Sequence, residues 1–174
     1  MPTVRLTLNP HSIDAAIREL KAYADRLPKI ADAIANGLAQ MGYTVAVGIM
    51  ANHIFDGNTI NSLTVERQGE GKYILYAESE ALLFLEFGTG VRGYGHPKAG
   101  DFGMGPGTYP GQTHALDPKG WWFPTTDPRL IVSEDFHGNT WGHSTGMPPA
   151  MPFYQAGQRI KQDILKVAKE AFAA

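Results

Sequence analysis

The chain has 174 residues, 43% apolar and 18% charged, with a formal net charge of −2 and no cysteine. That length suits one domain with a real core and is short for two. The charge balance gives no general attraction to nucleic acid or anionic membrane, and the missing cysteines exclude a disulfide framework and a thiolate metal site.

Met1-Pro2-Thr3-Val4-Arg5 leads to no apolar signal segment, and no apolar run approaches the roughly 18 residues of a membrane helix. A soluble protein made in a reducing cytoplasm is the expectation. Val4, Leu6 and Leu8 alternate with polar neighbours until Asn9-Pro10, the period of a half-buried strand. From Ile13 the period changes. Ile13, Ile17, Leu20, Ala24, Leu27, Ile30, Ile34, Leu38, Met41, Val45 and Ile49 follow at steps of three or four, one helical face held for about ten turns. Asn9 or Ser12 caps this helix, and Pro28 inside it predicts a kink rather than a loop, because the stripe keeps phase across it. Such a face is longer than one small core covers, so part of it should meet another subunit.

Asp56-Gly57-Asn58 is turn chemistry. Leu63 and Val65, then Tyr73, Leu75 and Ala77, alternate with polar or outward residues around Gln68-Gly69-Glu70-Gly71, which predicts a hairpin. Ser79 as cap, Glu80 in the first turn and Gly88 in a left-handed position predict a short helix over 80–87, with an extended segment as the alternative. Glu86 stands out as an acid among Phe84, Leu85 and Phe87. Its first reading is an outward side chain or a cap on a nearby backbone amide; an inter-subunit salt bridge and a catalytic acid are the rivals.

Residues 88–147 form a long Gly- and Trp-rich excursion without sustained period, far beyond the ~12–15 residues of an ordinary connection. It holds Trp121, Trp122 and Trp141, and Trp121-Trp122-Phe123 and Leu130-Ile131-Val132 each predict a short strand. Pro148, Pro149 and Pro152 then lead to a last helix with Phe153, Ala156, Ile160, Ile164, Val167 and Ala171 on one face.

Three motifs imitate chemistry. The string from Gly88 through Gly90 to Gly93 matches G-x-G-x-x-G, yet Tyr94-Gly95-His96-Pro97 cannot open the helix whose N-terminus would hold a pyrophosphate. The string Gly142-His143-Ser144-Thr145-Gly146 matches a nucleophile elbow, yet no histidine follows it and Pro148-Pro149 blocks a helix. His96, His114, His137 and His143 share the excursion with Asp101, Asp117, Asp127, Glu134 and Asp135, raw material for a metal site whose spacings match no metal signature. No catalytic residue, metal ligand or cofactor is assigned. Trp121 and Trp122, with Tyr94, Tyr109 and Phe123, are read as anchors of the excursion or of a subunit interface. Base stacking is the lesser reading, because only Arg92, Lys98, Lys119 and Arg129 supply positive charge nearby.

The order of long helix, hairpin, Phe84-Leu85-Glu86-Phe87-Gly88-Thr89-Gly90, glycine-rich loop, and Gly146-Met147-Pro148-Pro149-Ala150-Met151-Pro152-Phe153 entering a last helix resembles a known family. It is similar to the minor tail or tail-completion (head–tail joining) proteins of long-tailed phages and prophages. The stretch from Asp101 to Asn139 exceeds the family's compact form. The resemblance implies an α+β fold, with an antiparallel sheet packed by the N-terminal and C-terminal helices, and a structural protein without catalysis. It further implies a homo-oligomeric ring at the virion neck, with a hexamer as the suggested stoichiometry, built in the host cytoplasm beside connector and tail-terminator proteins. No membrane or specific nucleic-acid partner is implied. Glu86, Phe87, Arg92, Tyr94, Trp121, Trp122 and Trp141 are then the candidate interface residues. The rival from another class is a phage-encoded metal-dependent hydrolase using the excursion's histidines and acids.

Overall fold

The structure is a computed structural model that describes residues 9–53, 58–79, 81–93, 95–104 and 116–173. The strand expected at Val4, Leu6 and Leu8, the turn at Asp56-Gly57, and Glu80, Tyr94, Tyr109 and His114 lie outside the described residues. In chain order the elements are α1 (Pro10–Met50), α2 (Asn58–Asn61), β1 (Thr64–Gly69), β2 (Lys72–Tyr76), α3 (Leu82–Phe87), β3 (Trp121–Pro124), β4 (Ser133–Glu134), β5 (Thr140–Ser144) and α4 (Pro152–Ala173). The fold is α+β, with a two-stranded sheet β1-β2 and a three-stranded sheet β3-β5-β4, both antiparallel. The chain divides into two compact units. One holds the described residues up to 45 with 63–76 and 156–173; the other holds those of 46–62 and 77–155.

In the first unit, Asn9 is the cap of α1. Its Oδ1 accepts the Ser12 N–H at 2.8 Å and its carbonyl accepts the Ile13 N–H at 3.1 Å, which leaves Pro10 at the first helical position where no N–H is needed. The helix continues through Pro28 without a loop, at the loss of one backbone hydrogen bond. By length and composition α1 is apolar enough to cross a membrane, with a mean hydropathy of 1.2 over 18 residues, although it contains no unbroken apolar run of that length.

The stretch of α1 from Asp32 to Gly42 carries the packing of this unit. A Cβ at Gly37 would lie 3.3 Å from Val167, and one at Gly42 would lie 3.0 Å from Ile160 and 3.5 Å from Leu75, so these glycines let α4 and β2 approach the helix. Asp32 ties down the hairpin: Oδ1 accepts Gly71 N–H at 2.9 Å and Arg67 Nη2 at 3.0 Å, and Oδ2 accepts the Tyr73 hydroxyl at 3.2 Å. The Gly71 amide, helped by Arg67 and Tyr73, holds the Asp32 carboxyl below its ordinary value. By contrast, Ile13, Ile17, Leu20 and Leu27 remain exposed, so the stripe outruns its own core.

The hairpin pairs as its alternation predicts from Thr64 opposite Tyr76 to Arg67 opposite Tyr73; the register then shifts to Gly69 opposite Lys72, so Gln68 and Gly69 belong to β1 rather than to the connection. In the second unit, α3 ends at Gly88 with φ 75° and ψ −177°, rather than in the left-handed helical region. Only glycine visits that backbone region freely. Trp121-Trp122-Phe123 is a strand as predicted, whereas Leu130-Ile131-Val132 is not; the paired residues are Ser133 and Glu134, and β5 was not predicted at all. β5 is the central strand of its sheet.

Candidate functional site

The helix α4 begins at Pro152 behind Ala150-Met151, with no Ser, Thr, Asp or Asn to cap it. Four N–H groups at a helix start need acceptors, and a positive end of the helix dipole favours an anion. Glu86 supplies both from α3. Its Oε2 accepts the Phe153 N–H and its Oε1 the Tyr154 N–H, each at 2.9 Å. The reading of Glu86 as a cap on a backbone amide is met, across 67 residues of sequence. The residue is only 8% exposed.

His96 completes the carboxylate's shell. Lys98 N–H donates to His96 Nδ1 at 3.1 Å, which leaves the ring proton on Nε2, and Nε2 donates to Glu86 Oε1 at 3.1 Å. The imidazole is buried against Phe87, with ring centroids 4.5 Å apart, and edge-on to Tyr154 at 5.4 Å. Phe87 also meets Phe102 at 5.7 Å and is half-buried rather than a closed core residue.

The backbone around Glu86 is drawn equally tight. Leu85 carbonyl accepts the Ala150 N–H at 2.8 Å and the Met151 N–H at 3.2 Å. Thr89 and Met147 exchange both backbone hydrogen bonds, at 2.9 and 3.1 Å. A Cβ at Gly88 would lie 2.6 Å from Met147 O and 2.8 Å from Pro149 N, and one at Gly146 would collide with the Thr89 carbonyl. Gly88 and Gly146 therefore act as a pair that lets two strings, far apart in sequence, lie against each other. Met151 holds φ 58°, the sole positive value away from glycine among the described residues. The G-x-G-x-x-G string follows a helix, not a strand, and runs into a 3-10 turn at Gly90–Arg92. Ser144 ends β5 and accepts the Gly146 N–H at 3.1 Å, so the elbow-like string is a turn with no helix after it.

The tryptophans lie on the three-stranded sheet. Trp122 faces His143 across β3 and β5, with ring centroids 4.8 Å apart, and Pro124 faces Trp141, so these four share one side of the sheet. Trp122 is 55% exposed; Trp121 and Trp141 are half-buried, and Trp141 Nε1 donates to Asp135 Oδ2 at 3.3 Å. Arg92 is exposed. The structure thus brings Glu86 and Phe87 together at one place and Trp121, Trp122 and Trp141 at another. Tyr94 lies outside the described residues.

Among the described residues no three His, Asp or Glu side chains are grouped as a metal ion requires. Asp101 binds Lys98, Asp127 binds Arg129, and Asp135 binds its own turn. Sequence reasoning missed His96 as the partner of Glu86. The available signal was a pair of unexplained features: an acid inside an apolar helix, and a later helix without a cap of its own. Comparison of the chain with protein-family models, with curated proteins and with solved structures returns no match.

Proposed function

We propose that this chain is a structural assembly protein of a long-tailed phage or prophage, a tail-completion or head–tail joining component that closes into a ring at the neck without catalysis. One observation carries the reading. The two strings that bear the resemblance, Glu86 to Gly90 and Gly146 to Phe153, are one hydrogen-bonded unit joined by the Glu86 carboxylate and the Thr89–Met147 pair. The pairing gives the two strings a physical reason to occur together, since losing Glu86 would leave the Phe153 and Tyr154 amides without their acceptor. The exposed part of the α1 stripe supports a subunit contact, because contiguous apolar surface on a protein marks an interaction site. Connector and tail-terminator proteins are the proposed neighbours, within the virion and, during assembly, in the host cytoplasm.

The test is native mass by light scattering over a concentration series, with negative-stain imaging of the largest species. Closed rings are the expected result. A chain that stays monomeric alone and also fails to join purified connector or tail-terminator rings overturns the proposal.

A further inference from the structure

The hairpin between β4 and β5 presents a single aromatic side chain at its tip. Phe136 is 92% exposed, its ring tilted against that of His137 with centroids 3.8 Å apart. The turn beneath it is closely hydrogen-bonded. Asp135 accepts N–H bonds from His137 at 2.9 Å and Asn139 at 3.0 Å, and side-chain bonds from Asn139 Nδ2 and Trp141 Nε1. Asp135 N–H and carbonyl are bonded to Asn139 and Gly138. A turn of this kind needs no phenylalanine, and an aromatic held on a pre-ordered turn loses little entropy when it enters a pocket. Around it stand exposed Val132 and two carboxylates, Glu134 and Asp135, and residues 130–140 contain no lysine or arginine.

The outer face of α4 has the complementary character. Leu165 is 72% exposed and Phe172 lies seven residues on, two turns along the same side. Lys161 and Lys169 flank them, exposed, with no acid between them on this face, and Lys166 is exposed a quarter-turn round the helix. Arg159 and Asp163 are already paired with each other.

We propose that the Phe136 tip of one copy docks on the Leu165–Phe172 face of the next copy, with Glu134 set against Lys161 and Lys169. Repeated in one direction from copy to copy, the contact is heterologous, the kind that a rotational ring closes. The contact deepens the ring reading and rests on it for closure alone.

The experiment uses two full-length variants, Phe136→Ala and Leu165→Glu, each at a surface position and each checked for native helicity. Each alone should self-associate at least roughly 30-fold more weakly than the parent, the loss typical of an interface anchor. Mixed in equal amounts they should form a one-to-one pair, because each keeps the surface that the other lacks. Since the chain has no cysteine, a weak contact is caught by oxidising a mixture of Glu134→Cys and Lys169→Cys chains, which should cross-link to each other in preference to themselves. Variants that associate like the parent, or a mixture giving neither a pair nor a preferred mixed cross-link, overturn the proposal. Closed rings seen under those same outcomes keep the ring reading and reject only this contact.

Discussion

At the scale of the residue, Glu86 decides more than any other side chain described. Removing it leaves two amides at the start of α4 and the His96 ring N–H without their acceptor in a buried place. Each orphaned buried donor costs on the order of 1–3 kcal/mol, and a lost helix cap falls in the same range. Glu86→Ala should therefore lower unfolding stability by about 3 kcal/mol, read by urea denaturation, and an unchanged midpoint would remove Glu86 from the framework. Phe87, half-buried, should lose less on truncation than the roughly 3–5 kcal/mol of a closed core phenylalanine. Met151 offers the opposite sign. Its φ of 58° strains a side-chain-bearing residue at the entry to α4, so Met151→Gly should raise stability or leave it level, although glycine is more flexible in the unfolded chain.

At the scale of the element, what could be read from sequence depended on where each element finds its partners. The long helix, the hairpin and α4 carry their own period, so Ile13 to Ile49, Leu63 to Ala77 and Phe153 to Ala171 could be placed from residue order alone. The strand β5, Thr140-Trp141-Gly142-His143-Ser144, has no clean alternation; it exists because Trp121–Pro124 and Ser133–Glu134 flank it from elsewhere in the chain. Its Gly142 lies under the Phe123 ring, a packing reason that local pattern does not display. The β4–β5 turn is a case where one carboxylate sets an element's stability. Hydrogen bonds from Asn139, His137 and Trp141 lower the Asp135 pKa to about 2, below an unfolded value of about 3.9. The folded pKa is the lower one, so the stabilisation is fully present above about pH 4 and is lost as pH falls towards 2. Amide exchange at His137 and Asn139, corrected for intrinsic rate, should show protection at pH 5 that weakens near pH 2.5. Asp135→Asn should show the weakened state at both values, and equal protection in parent and variant would sever the turn from this carboxylate.

At the scale of the whole molecule, the Thr89–Met147 pair separates a framework from its excursion. Both backbone bonds of that pair are made, so the two residues are already placed as the ends of a tight hairpin. Replacing residues 90–146 by Asn-Gly should close the gap without moving α3 or the start of α4, because the Glu86 bonds to Phe153 and Tyr154 lie outside the deleted stretch. The deletion does remove His96 and with it one hydrogen bond to Glu86 and one ring face of Phe87, a loss of about 1–2 kcal/mol. The shortened chain should keep its helical circular dichroism and a cooperative melt at a lower temperature. If the excursion carries the subunit contact, association should vanish at the same time. A shortened chain that loses cooperative melting would place the excursion within the framework, and one that folds and still associates would return the contact to the exposed stripe of α1. The two outcomes in which the shortened chain still folds assign the assembly surface to different stretches of chain, which is the distinction that the exposed tip and the uncovered stripe leave to be made.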